Sequence, residues 1–192
     1  MNETDKARLA LVPVLAERSP SGRIGRTALM KYLYFLQTLR GLPLGYNFSM
    51  YSYGPFDSAV LADLTSAEVL NIVEAQPVQF SGGYGYRIKA SSHAEFAKGN
   101  ALRFLSIHND DIEWLFLTFG KLNSAELELT STIVYIDQEF ADAKSQLSTC
   151  EMATRLREIK PHFSRERING FVEDLLQKNV LKATVRASMQ SC

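Results

Sequence analysis

Along residues 26–40, RTALMKYLYFLQTLR, the apolar positions Leu29, Tyr32, Leu33, Leu36 and Leu39 recur three and four apart. That spacing predicts a helix with one apolar side turned to a core. Gly41 is placed to end it. The rhythm then shortens to two. From Asn47 to Tyr53, Phe48, Met50 and Ser52 alternate with Ser49, Tyr51 and Tyr53, which predicts a half-buried strand. Gly54-Pro55 is expected to stop that strand, because proline has no N–H for a ladder and fixes its own φ. Asp57 can accept from the unpaired amides of a following helix, predicted over residues 56–71.

Outside this central stretch, Thr4 to Glu17 has near-helical apolar spacing, with a bend or restart expected at Pro13. Ser19 to Gly25, SPSGRIG, reads as a loop. Two β-prone runs flank Ser81-Gly82-Gly83, so Val78 to Lys89 should contain a hairpin turning near Gly82-Gly83. Helix, helix, strand, helix and hairpin in that order is a winged helix-turn-helix arrangement. From Ser92 the pattern is helical throughout. Ser92 with Glu95, and Asn123 with Glu126, have capping-box spacing, and Phe96, Ala101, Leu102 and Leu105 read as a buried stripe. Two more helices flank Lys160-Pro161-His162-Phe163, the second capped by Ser164. The expected fold class is therefore α+β and predominantly helical. A winged-helix-like module at residues 1–90 would pack with a helical region at 91–192 as one compact unit.

Composition narrows the function. At 192 residues and 46% hydrophobic, the chain can bury a sizeable core. Its formal net charge is zero, so contact with nucleic acid or membrane would need a local patch. Such patches exist: residues 1–50 carry seven basic against three acidic side chains and 151–192 eight against five, while the middle is acidic. The two cysteines, Cys150 and Cys192, form neither a disulfide framework nor a metal-ligand spacing, which favours a reducing cytoplasm. The N-terminus reads as an amphipathic helix rather than a signal peptide, and no apolar run approaches the roughly 20 residues that span a bilayer.

Enzyme chemistry finds little footing. His93, His108 and His162 share no metal-binding spacing, and there is no G-x-S-x-G elbow, Walker A loop or G-x-G-x-x-G. Catalytic residues, metal ligands and cofactors are accordingly expected to be absent. For nucleic acid, the helix before the hairpin carries Asp57, Asp63 and Glu68 but no Lys or Arg, so phosphate would repel it. Basic candidates lie elsewhere, at Arg23 and Arg26 in front and at Arg155, Arg157, Lys160, Arg165 and Arg167 behind. Tyrosines left off the apolar faces, Tyr34, Tyr51 and Tyr53, are the candidates for a protein interface, since tyrosine is enriched at interface hot spots.

The runs GRTALMKYLYFLQ and GLPLGYNFSMYSYGPFDSAVLADL resemble the signature of YwgA-type bacterial proteins, related in pattern to Panacea and SocA-like antitoxin domains. A lysine-led LYF helix followed by a Y-G-P turn carries the likeness, over roughly Gly25 to Asn71 and more loosely over Leu127 to Leu181. The resemblance implies a small winged-helix-like protein found near phage and toxin genes, and it brings no catalytic residue. It implies that a Panacea-like member neutralises a toxin by binding it, and that a SocA-like member hands one to a protease. The expected function is thus a non-catalytic, antitoxin-like or phage-defence module that binds another protein: a toxin, a protease adaptor target or a second copy of itself. The alternative is a winged-helix transcriptional regulator that binds DNA through the basic patches at both ends of the chain.

Overall fold

The computed structural model describes residues 1–80 and 83–186. The fold is α+β and predominantly helical, and the chain forms two compact units. Met1–Ser49 with Phe56–Ser124 make the first, and Met50–Pro55 with the chain from Ala125 onward make the second. In order come α1 (Glu3–Arg18), α2 (Arg26–Arg40), β1 (Ser49–Tyr51), β2 (Gly54–Phe56), α3 (Ser58–Val69), β3 (Val73–Phe80), β4 (Gly83–Ala90), α4 (Ala94–Asn100), α5 (Leu102–Ile107) and α6 (Asn109–Phe119). They are followed by α7 (Ser124–Asp142), β5 (Leu147–Ser148), α8 (Thr149–Ile159), α9 (Arg165–Gln177) and β6 (Thr184–Val185).

The first unit is built around α1 and α2. Asn2 caps α1 by accepting from the Asp5 amide at 2.8 Å, while the Asp5 carboxylate accepts from the Asn2 amide. Every residue from Leu9 to Ala16 is buried. Pro13 lies inside this run without ending the helix, so the expected restart does not occur: burial on all sides outweighs one missing amide. α2 differs from its predicted single stripe in the same way. Leu29 to Leu36 are all buried, Lys31 and Tyr34 among them. Phe35 stacks on Phe119 with centroids 4.3 Å apart, and Tyr32 meets Phe116 edge-on at 5.3 Å. Gly41 ends the helix at φ +72°, a conformation that glycine adopts without steric cost.

β3 and β4 pair antiparallel in the register Val73↔Ala90 through Phe80↔Gly83. The turn expected near Gly82-Gly83 involves Ser81 and Gly82, which lie outside the described residues. Ile24 extends this ribbon, exchanging both backbone hydrogen bonds with Ile88 of β4. Asp57 caps α3, accepting from the Ala59 amide at 2.8 Å.

α4 does not use the Ser92/Glu95 box: it starts at Ala94 without a side-chain cap, and Glu95 pairs with Lys98 at 2.5 Å. Its apolar stripe also falls elsewhere than expected. Ala101 is buried as expected, but Phe96 and Leu102 are exposed, and Ala94 and Ala97 are buried instead. Small side chains at helical spacing let α4 approach α1 closely. α4, α5 and α6 consequently group with the first unit, which runs to Ser124 where the sequence pattern changes at residue 90.

Segment 47–53 is not one strand. β1 covers only Ser49 to Tyr51, a turn follows at Ser52-Tyr53, and Gly54-Pro55 opens β2 instead of ending β1. Gly54 has φ +83°, which turns the chain back on itself.

In the second unit the buried carboxylate of Asp137 accepts from the amides of Lys182, Ala183 and Thr184 and from the Thr184 hydroxyl, at 2.7 to 3.0 Å. These four bonds fix the segment that enters β6, which runs parallel to β5. Ser148 and Glu151 cap α8 reciprocally, and Ser164 caps α9. Among the described residues, no helix is long and apolar enough to cross a membrane.

Candidate functional site

Tyr51, Ser52 and Tyr53 form the tip of the β1–β2 ribbon. Tyr51 is 65% exposed and Tyr53 71%. Beneath them the backbone is held from two directions. Lys160 follows the last turn of α8, where its side chain is only 1% exposed; its ammonium donates to the Ser52 carbonyl and, at 2.5 Å, to Glu128 Oε1 on α7. A buried lysine must be paired, and Glu128 with the Ser52 carbonyl satisfies that requirement. Gly54 presses on α7 from the other end. A Cβ there would lie 3.0 Å from both Ser131 Oγ and Thr132 Oγ1, and each of those hydroxyls donates back to the Glu128 carbonyl. His162 sits beside the same cluster, its Nε2 3.8 Å from Glu128 Oε1. The result is two exposed phenol rings on a backbone anchored by an ion pair and a close glycine contact.

Tyr34 does not join them. It lies in the core of the first unit at 3% exposure, edge-on to Phe48 at 5.2 Å. Helical periodicity in the sequence put it off the apolar face, but α2 is buried on every side over that turn.

The basic candidates at the back fall into separate places. Arg157 and Arg165 share a shallow depression of about 440 Å³ on α8 and α9. Arg155 lies over the Phe140 ring at 4.9 Å, and Arg167 contacts Glu126 at 3.5 Å and packs over Phe163. Lys160 differs from the others, because its charge is buried and committed to Glu128. Cys150, at the start of α8, accepts from the Arg165 guanidinium through its Sγ at 3.4 Å. Cys192 lies outside the described residues.

In the first unit Arg23 and Arg26 line an open groove of about 710 Å³ where the loop before α2 meets β4. Tyr84, Tyr86 and Arg87 complete it. The sequence assigned these three only to a hairpin; the β-bridge from Ile24 to Ile88 is what brings them alongside Arg23 and Arg26. Glu128 was also missed as a site residue, since a carboxylate in the first half of a helix reads as a solvent-facing position.

A third polar cluster is structural. Tyr46 donates its hydroxyl hydrogen to Asp63 at 2.7 Å, with the Arg8 guanidinium over the Tyr46 ring. Burial pushes Asp63 above its ordinary value, further than the Tyr46 hydroxyl and Arg8 pull it down. Among the described residues, no group of three or more His, Cys, Asp or Glu side chains is placed to hold a metal ion.

No protein-family model matches the chain, and no curated protein matches it either.

Proposed function

We propose that this protein is a non-catalytic binding module that engages another protein through the Tyr51–Tyr53 tip, in the manner of an antitoxin-like or phage-defence component. One observation carries the reading: both phenol rings stand out in solvent while the backbone beneath them is fixed by Lys160, Glu128 and Gly54. Ordering an interface side chain costs free energy on binding, so a tip already held in place loses less of its contact energy. Tyrosine adds a large apolar face with a hydrogen-bonding end, the composition found at interface centres. The first unit supplies a winged-helix-like frame in this reading. The order α1, an Ile24 bridge to β4, α2, α3 and the β3–β4 ribbon, with β1 and β2 between α2 and α3, supports that reading.

The experiment is capture of the partner on immobilised protein, identification, and titration with the purified partner by calorimetry. Tyr53→Ala should weaken binding by about 2 kcal/mol or more, as truncation at an interface centre does. Arg157→Ala, on α8, should change it little. Equal affinity of the wild type and of Tyr51→Ala and Tyr53→Ala overturns the proposal.

A further inference from the structure

The groove in the first unit is independent of the tip and carries chemistry of its own. We propose that it binds single-stranded nucleic acid, with phosphates on Arg23, Arg26 and Arg87 and a base stacked on Tyr84. Among the described residues, five of the twelve basic side chains of the first unit meet a carboxylate: Lys6 with Glu3, Arg8 with Asp63, Arg40 with Asp111, Lys89 with Glu74, and Lys98 with Glu17 and Glu95. Arg23, Arg26 and Arg87 have no carboxylate partner among the described residues, and no acidic residue lines the groove. Three arginines lining one concavity bring like charges together, and an anion bound there offsets their repulsion.

Arg26 is held for that role. Its guanidinium stacks on the Tyr86 ring, 3.4 Å from the centroid, and its buried Nε has no hydrogen-bond partner among the described residues. Such stacking fixes the plane of the fork without using its donors. Arg26 also opens α2, whose N-terminus has neither a side-chain cap nor an acidic residue in its first turn, so the helix dipole adds positive potential at the same place.

The shape and the remaining aromatic decide the class of ligand. A groove of about 710 Å³ is much larger than one phosphate and suits a run of linked nucleotides. Tyr84 beside it is 83% exposed, a flat ring of the kind that strand-binding proteins use as a stacking platform. A duplex hides its base faces and offers nothing to that ring. α3, the helix that a winged fold would insert into a duplex, carries only negative charges. The arginine groove is thus a different mode of contact from helix insertion.

The test is fluorescence anisotropy with the whole protein and three probes: a labelled oligothymidine, a duplex of equal length, and inorganic pyrophosphate as competitor. Arg23 and Arg87 are both exposed, so Arg23→Gln with Arg87→Gln removes charge without opening the core. That double variant should bind the oligothymidine more weakly and lower the slope of log K against log salt by about 0.7 for every phosphate it no longer holds. Tyr84→Ala should weaken binding by roughly 5- to 150-fold with the slope unchanged. Tyr53→Ala should leave it unaltered, which separates this site from the tip. Failure of the wild type to bind at low salt overturns the proposal, and so does unchanged binding by the double variant. A duplex held as tightly as the single strand overturns it as well.

Discussion

Gly54 offers a measurement in which two costs can be separated. Its φ of +83° is a conformation that L residues adopt at a cost of about 1–2 kcal/mol. A Cβ would in addition meet Ser131 Oγ and Thr132 Oγ1 at 3.0 Å and the Glu128 carbonyl at 3.4 Å. Neither hydroxyl can swing away cheaply, because each is hydrogen-bonded to that carbonyl. Overpacking of this kind costs roughly 1–3 kcal/mol more. Gly41 is the control, with φ +72° and nothing within 4 Å of the position a methyl group would take. Gly54→Ala should therefore destabilise by about 2–5 kcal/mol and Gly41→Ala by about 1–2. Urea denaturation followed by circular dichroism gives the two values. Peptide-resolved hydrogen exchange over α7 then tests locality, since the Gly54 variant should lose protection there and the Gly41 variant should not. Equal losses from the two substitutions would refute the contact argument, leaving only backbone strain.

Two further outcomes follow from the polar clusters. Lys160→Met leaves the Glu128 carboxylate without its ammonium and should cost about 3–5 kcal/mol in denaturant titration, whereas Lys160→Met with Glu128→Leu should recover much of the loss. For Asp111, burial raises the carboxyl, but hydrogen bonds from His108 and Arg40 outweigh it and hold the group below its ordinary value. A depressed carboxylate gives stability that is present above its unfolded pKa and lost as pH falls through the folded one. Asp111→Asn should accordingly flatten the acid limb of a melting-temperature profile, and an unchanged limb would remove Asp111 from its causes.

Elements were legible in the sequence where a local signal fixed them. Asp57, Gly41 and Ser164 were read correctly as helix ends because capping and positive φ are decided within a few residues. The β3–β4 ribbon followed from alternation on either side of a glycine-rich turn. Burial was less readable. Periodicity supposes a helix with one side in water, and α1 and α2 have none over their central turns, so Tyr34 and Lys31 are in the core. The reverse error occurred in α4, where large residues suggested the inner side but alanines form it, because close helix contact selects for small side chains.

The candidate sites divide along the same line. Tyr51 and Tyr53 were picked out from an alternation over residues 47–53 that the structure does not carry past Tyr51, and both are exposed at the tip. What makes the tip rigid could not, since Lys160 and Ser52 are 108 positions apart and no spacing rule relates them. Charge pattern was misleading there too: Lys160 counted with the basic patch of the last 42 residues, yet its ammonium is the one that Glu128 takes out of solvent. Long-range pairing, rather than composition, decides which cations are left to meet a ligand. In the first unit the same rule works in the opposite sense, for Arg23 and Arg26 gain Arg87 and two tyrosines only because Ile24 bonds to Ile88. Removing that bridge therefore tests the origin of the groove apart from its ligand. Ile24→Pro deletes the amide that donates to the Ile88 carbonyl at 3.0 Å, and should expose the Ile88 amide to exchange while α2 stays protected. Retained protection at Ile88 would mean that pairing with β3, the Ile24 carbonyl and packing hold β4 in place without the Ile24 amide.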